Sequence, residues 1–162
     1  MASGTAIELS DIETLPSAQP LVSVVVPAYN EAEGLAADLA GILDVMALQD
    51  AEFEVIVIDD GSEDDTARIA SEVDGVRLLQ HQRNRGYGAA LKSGIRRARG
   101  EYIVITDADG TYPASYIPTL LDHIGEADMV VGARTGETVK IPATRRPAKW
   151  LLNRLASLMA EA

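Results

Sequence analysis

From about residue 20 onward, short apolar runs alternate with longer stretches in which apolar residues recur every third or fourth position. Residues 21–26 are a β-branched run closed by Pro27, which reads as a buried parallel strand. Between 31 and 48 the apolar positions Leu35, Leu39, Ile42, Val45 and Met46 fall at helical spacing. The pair then repeats, with strands expected at 53–58 and 76–79 and a helix at 63–73. Residues 86–98 read as a helix of small residues stopped by Gly100. A fourth strand is expected at 101–106, a helix opened by proline at 113–124, a fifth strand at 129–131 and a last amphipathic helix at 144–159. Strands alternating with helices of this length predict an α/β, Rossmann-like fold, its mostly parallel sheet flanked by helices on both faces. Residues 1–19 mix Ser, Thr, Pro and acidic residues and read as a flexible leader. The expected organisation is a leader at 1–19, an α/β domain at 20–143 and a basic amphipathic region at 144–162.

That architecture localises chemistry, because ligands in open α/β sheets bind beyond the carboxyl ends of the strands. Those ends carry Pro27-Ala28-Tyr29-Asn30-Glu31, Asp59-Asp60-Gly61-Ser62 and Asp107-Ala108-Asp109. The two carboxylates of Asp107 and Asp109 can face one side as the chain turns and ligate Mg2+ or Mn2+ together with substrate phosphates. An Asp-rich turn with no ligand reads equally from the same residues. In the second cluster an aspartate would accept from a base N–H or ribose hydroxyl, or Ser62 would cap the helix that follows. Tyr29-Asn30-Glu31 is either a helix start or part of a nucleotide cradle. The glycine-rich Asn84-Arg85-Gly86-Tyr87-Gly88 lets backbone approach a ligand or makes a tight loop. It is neither a dinucleotide fingerprint nor a P-loop, since Leu91 stands where glycine would precede Lys92-Ser93.

Composition narrows the classes further. Apolar residues make up 47% of the 162 residues, enough for one domain with a real core. The absence of cysteine excludes disulfides and thiolate metal sites and suits a reducing cytoplasm. No basic segment followed by an apolar run opens the chain, and no apolar stretch approaches the roughly 20 residues that span a bilayer, so a soluble chain is expected. The net charge of −11 is uneven: residues 1–133 carry 8 basic and 23 acidic side chains, residues 134–162 carry 6 and 2. So acidic a body argues against nucleic-acid binding. The basic end would meet a phosphate or a membrane surface, or is a solvated helix face. His81 and His123 have no zinc-ligand pattern and read as packing or surface residues. Without cysteine, a placed histidine base or a nucleophile elbow, covalent hydrolysis fits poorly.

Taken together, the motifs resemble family 2 glycosyltransferases, in particular the branch of dolichol-phosphate mannosyltransferase-like and bacterial polyprenyl-phosphate enzymes. The matching pieces, in order, are Val25-Val26-Pro27-Ala28-Tyr29-Asn30-Glu31, Val57-Ile58-Asp59-Asp60-Gly61-Ser62 with Asp65-Thr66, Asn84-Arg85-Gly86-Tyr87-Gly88, Ile105-Thr106-Asp107-Ala108-Asp109 and Val131-Gly132-Ala133-Arg134. The stretch from Arg145-Arg146 to Leu155-Ala156 looks like that branch's basic helix. The resemblance implies a GT-A fold that binds a UDP- or GDP-sugar. It places Pro27, Tyr29 and Glu31 in the nucleotide pocket, Asp59 or Asp60 on the base or ribose, and Asp107 and Asp109, a DXD motif, on Mg2+ or Mn2+ and the diphosphate. Arg134 would contact phosphate of donor or acceptor, with Arg145 and Lys149 also on the acceptor phosphate.

The implied reaction is sugar transfer to a polyprenyl or dolichyl phosphate with inversion. A phosphate oxyanion is already nucleophilic, so no strong general base is required. Residues 144–162 would lie at a membrane interface or pack on the sheet, giving a cytoplasmic protein peripheral at the membrane's inner face. Two departures stand out. Thr111 stands where the mannosyltransferase-like relatives often have a metal-assisting glutamine, and the chain stops at Ala162, before the expected acceptor region. A truncated C-terminus is therefore expected, with a non-catalytic nucleotide-binding or interaction module as the alternative. A phospho-acceptor signalling domain fits poorly, because its acidic pair belongs after the first strand and Asp59-Asp60 follows the second.

Overall fold

The computed structural model describes residues 22–133. The chain divides into two compact units, Met1–Glu126 and Ala127–Ala162. The leader, the helix expected at 144–159, and Arg134, Arg145 and Lys149 lie outside the described residues.

The first unit runs β1 (Val22–Ala28), α1 (Leu35–Ala47), β2 (Phe53–Asp59), α2 (Thr66–Glu72), β3 (Val76–Gln80), α3 (Tyr87–Arg97), β4 (Tyr102–Ile105), a 3-10 turn (Ala114–Tyr116) and α4 (Ile117–Leu121). The described strands form one sheet in the order β3-β2-β1-β4, and every pairing is parallel. All of β1 is buried, as the continuous Val-rich run demands of a strand with neighbours on both edges. Pro27 fits inside it for a local reason. Its missing N–H falls on the β4 side, where pairing has already ended at Val25–Ile105, so no ladder bond is lost.

Alternation along the strands makes two cores. Val22, Val24, Val26, Val55 and Val57 join Leu35, Leu39, Ile42 and Met46 of α1, Ala70 of α2 and Ile117 of α4. Val25, Ile56 and Ile58 meet Ala90 of α3 on the opposite face. The helices thus cover both faces, as the pattern predicts. Each large aliphatic side chain so buried contributes about 1.5–3 kcal/mol. Contact with α3 is close: a Cβ at Gly94 would sit 2.5 Å from Val25 Cγ1 and 2.6 Å from Ile58 Cδ1.

Four expectations need correction. The first helix begins at Leu35, not 31, and the second at Thr66, not 63. Both late starts have one cause, the cross-bonding of the two loops described below. The strand expected at 129–131 does not form: those residues have no regular structure, and Met129 and Val131 are 78% and 71% exposed. Three residues carry too little apolar periodicity to separate a strand from an irregular segment. The helix expected at 113–124 is likewise shortened to the 3-10 turn and α4.

Candidate functional site

The chain winds outward from β1 through β2 to β3, then crosses back to place β4 on the other side of β1. The loops after β1 and β4 therefore leave neighbouring strand ends where the strand order reverses, and such a switch point is where open α/β sheets bind ligands. The motif Asp107-Ala108-Asp109 follows β4 and Tyr29-Asn30-Glu31 follows β1, so both occupy it.

The loops after β1 and β2 are knitted together. Asn30 N–H donates to Ser62 Oγ (2.9 Å), and Glu63 N–H donates back to Asn30 Oδ1 (2.9 Å). Glu31 N–H donates to Thr66 Oγ1 (2.8 Å) and Ala32 N–H to Asp64 Oδ2 (3.2 Å). Asn30 holds φ 56, which its short amide side chain tolerates. These bonds take residues 30–32 and 62–64 out of the helices. Ser62 thereby serves the neighbouring loop, while Asp64 Oδ1 accepts from Thr66 N–H at the start of α2 (3.0 Å).

The adjacent aspartates Asp59 and Asp60 do different things. Asp60, 3% exposed, accepts from Arg85 N–H (3.1 Å), Gly86 N–H (2.7 Å) and the ring Nδ1 of His81 (2.6 Å). The other ring nitrogen of His81 meets Ser93 Oγ at 2.9 Å, so β2, β3 and α3 are tied through one imidazole. Gly86 reaches Asp60 at φ 89 and ψ 153, a backbone region open essentially to glycine alone. Asp59 is fully buried. Its Oδ1 accepts from Ser62 N–H (3.1 Å), and its Oδ2 has no partner among the described residues. Directly after them Gly61 (φ 73) lies against the backbone of Arg83, where any Cβ would collide.

Asp107 is half-buried and Asp109 exposed, with buried Ala108 anchoring the loop in the larger core. Asp107 Oδ1 accepts from the Tyr87 hydroxyl (2.9 Å), and burial, then this carboxylate, pushes the phenol up to about 12. Asp109 Oδ1 accepts from Thr111 N–H (2.9 Å). Glu31 is held above the usual carboxylate range, first by desolvation, then by the negative charges of Asp109, Asp64, Asp38 and Asp107. Asp38, Thr106, Asp107, Gly110 and Tyr112 line a hollow of about 110 Å3 beside the loop. The larger hollow, about 560 Å3, is an open depression around 46–53 at the other end of the sheet and holds none of these residues.

Beyond Asp59 and Asp60, the sequence-expected residues fall into three groups. Glu31, Asp107 and Asp109 come within electrostatic reach of one another. Pro27 is buried within β1, while Tyr29 is 40% exposed. Arg134, Arg145 and Lys149 lie outside the described residues. Among the described residues no three acidic or histidine side chains form a metal cage by themselves. Sequence reasoning missed Asp38, Tyr87 and His81. Asp38 stood on a helix that the pattern assigned to packing, and Tyr87 was visible only as part of a glycine-rich loop.

The profile of glycosyl transferase family 2 matches residues 23–160. The undecaprenyl-phosphate 4-deoxy-4-formamido-L-arabinose transferase of Klebsiella pneumoniae is 34% identical over 83% of this chain and 42% of its own length. The dolichol-phosphate mannosyltransferase of Pyrococcus furiosus is 35% identical over 70% of this chain and 33% of its own. This chain therefore spans less than half the length of either relative. Among solved structures, the mannosyltransferase PcManGT from Pyrobaculum calidifontis, in complex with GDP-Man and Mn2+, matches with a TM-score of 0.50 at 36% identity, over 62% of this chain and 31% of that one. S. aureus TarS matches with a TM-score of 0.52 at 28% identity, over 65% of this chain and 32% of that one. A matched profile over most of the chain, on a GT-A sheet with acidic strand ends, places it: the chain belongs to glycosyl transferase family 2.

Proposed function

We propose that this chain forms the donor-binding part of a glycosyltransferase that takes a UDP- or GDP-activated sugar and passes it to a polyprenyl or dolichyl phosphate. The observation that carries the reading is the gathering of Glu31, Asp38, Asp64, Asp107 and Asp109, where desolvation and then the neighbouring carboxylates hold Glu31 above its ordinary range. Such crowding disfavours the ligand-free protein and suits a divalent cation. The names of the relatives, and the GDP-Man and Mn2+ in one structural neighbour, support the same donor and acceptor classes.

Asp107 and Asp109 would hold Mg2+ or Mn2+, which when bound supplies positive charge against the departing diphosphate. Tyr29 offers an exposed ring for the base, with Glu31 and buried Pro27 shaping the wall behind it. Asp59 or Asp60 would accept from a base N–H or ribose hydroxyl; Asp59 Oδ2 has no partner among the described residues, while the oxygens of Asp60 are engaged by backbone N–H groups. Arg134, by its family position, would contact phosphate of donor or acceptor, and Arg145 and Lys149 phosphate of the acceptor. The acceptor arrives as an oxyanion, so alignment and charge replace a general base, and direct displacement inverts the anomeric carbon. The basic residues after 133 support docking of 144–162 on the cytoplasmic face of a membrane. No helix among the described residues is long and apolar enough to cross one.

Titration calorimetry with UDP, GDP and their sugars, with and without Mn2+, tests the reading. Binding that requires the metal is expected; no metal-dependent binding of any of them would overturn it.

A further inference from the structure

The aspartate motif does not hold its own shape; two helices on opposite faces of the sheet grip it at its two ends. At one end the Tyr87 hydroxyl, on the first turn of α3, donates to Asp107 Oδ1 at 2.9 Å. At the other, Gly110 N–H donates to Oδ2 of Asp38, in the first turn of α1, at 2.9 Å. The chain between them turns at Gly110 (φ 65), and Ala108 is buried between the two grips.

We propose that Tyr87 and Asp38 are positioning residues that hold the Asp107–Gly110 loop in its metal-binding conformation, a role that rests on the donor-binding reading above. Tyr87 spends its hydroxyl on one oxygen of Asp107, which orients the carboxylate and leaves the second oxygen for a ligand. The position of Tyr87 is fixed in turn, because Gly86 N–H immediately before it is anchored on buried Asp60, itself braced by His81. Asp38 acts on the far side, accepting from backbone and so setting where the chain turns after Asp109. Groups that orient metal-ligating carboxylates in this way affect metal affinity about 10- to 100-fold when removed.

The variants are chosen to separate positioning from folding. Tyr87→Phe keeps the ring and removes only the hydroxyl. Asp38→Ala removes the acceptor, while Asp38→Asn keeps an oxygen that can still accept from Gly110 N–H. Expected are a roughly 10-fold or larger loss of Mn2+-dependent UDP or GDP affinity in Tyr87→Phe and Asp38→Ala, with melting temperatures near wild type, and partial recovery in Asp38→Asn. Residue-resolved amide exchange supplies a readout that needs no metal: the Gly110 N–H should exchange faster in Asp38→Ala than in wild type, and Asp38→Asn should restore its protection. Unchanged exchange at Gly110 together with wild-type metal dependence in both deletion variants would overturn the proposal. If wild type itself shows no metal-dependent nucleotide binding, the donor-binding reading fails. The exchange experiment still decides whether the loop is held as described.

Discussion

The two ends of the same sheet are built on opposite electrostatic plans. At the amino ends of the strands, the Glu54 carboxylate sits 3.3 Å from the Arg77 guanidinium and accepts from Ser23 Oγ and Arg99 N–H, both at 2.7 Å. Ser23 Oγ in turn accepts from Gly100 N–H at 2.9 Å, and Arg77 also donates to the Arg97 carbonyl. Opposite charges cancel there, although Arg77 Nε finds no partner among the described residues. At the carboxyl ends, desolvation and then the neighbouring carboxylates hold Glu31 above the usual carboxylate range. One end is assembled for stability, the other carries repulsion that folding alone would not select, and that difference marks the functional end.

The largest way to sharpen the contrast is Asp107→Ala. It should lower Mn2+-dependent nucleotide affinity on the order of 100-fold, about 3 kcal/mol, by calorimetry. Removing one charge from the crowd should leave the melting temperature no lower than wild type. Glu54→Ala should do the reverse. It strands Ser23, Arg77 and the Arg99 N–H, and should reduce stability by about 2 kcal/mol in denaturant melts while donor binding persists.

Glu31→Gln tests the repulsion itself. The folded-state value of Glu31 lies above its ordinary 4.5, so the stability from its protonated form is complete below 4.5 and is lost as pH rises through the raised value. At neutral pH the variant should therefore be the more stable, by no more than about 1 kcal/mol, and added Mn2+ should erase its advantage. The smallest effect belongs to the exposed His123–Glu126 pair, 2.8 Å apart, far from either plan. The hydrogen bond and charge of Glu126 raise His123 above 6.5. Its contribution is present below 6.5 and fades as pH climbs through the folded value, a slight slope in thermal melts that Glu126→Gln should flatten.

Much of this was readable from residue order. The four described strands and most of their helices follow from local apolar periodicity, which neighbouring residues alone can encode, while the motifs were legible only as a family resemblance. Helix starts were less legible. Glu31 and Glu63 look like helix openers until Asn30 and Ser62, 32 positions apart, bond to each other instead. The segment 129–131 is apolar enough to suggest a strand and too short to specify one.

By itself the sequence determined the α/β layering, the three acidic strand ends and the assignment of Asp107 and Asp109 as candidate metal ligands. Only the tertiary structure decided how that chemistry is shared. Asp59 and Asp60 are adjacent in sequence and chemically identical, yet one ends with an unsatisfied oxygen and the other with three donors. Tyr87 and Asp38 reach the aspartate loop from positions 20 and 72 residues away from their partners. No local pattern encodes such contacts, because hydrogen bonds form between groups that the folded chain brings within about 3 Å, whatever their separation along it.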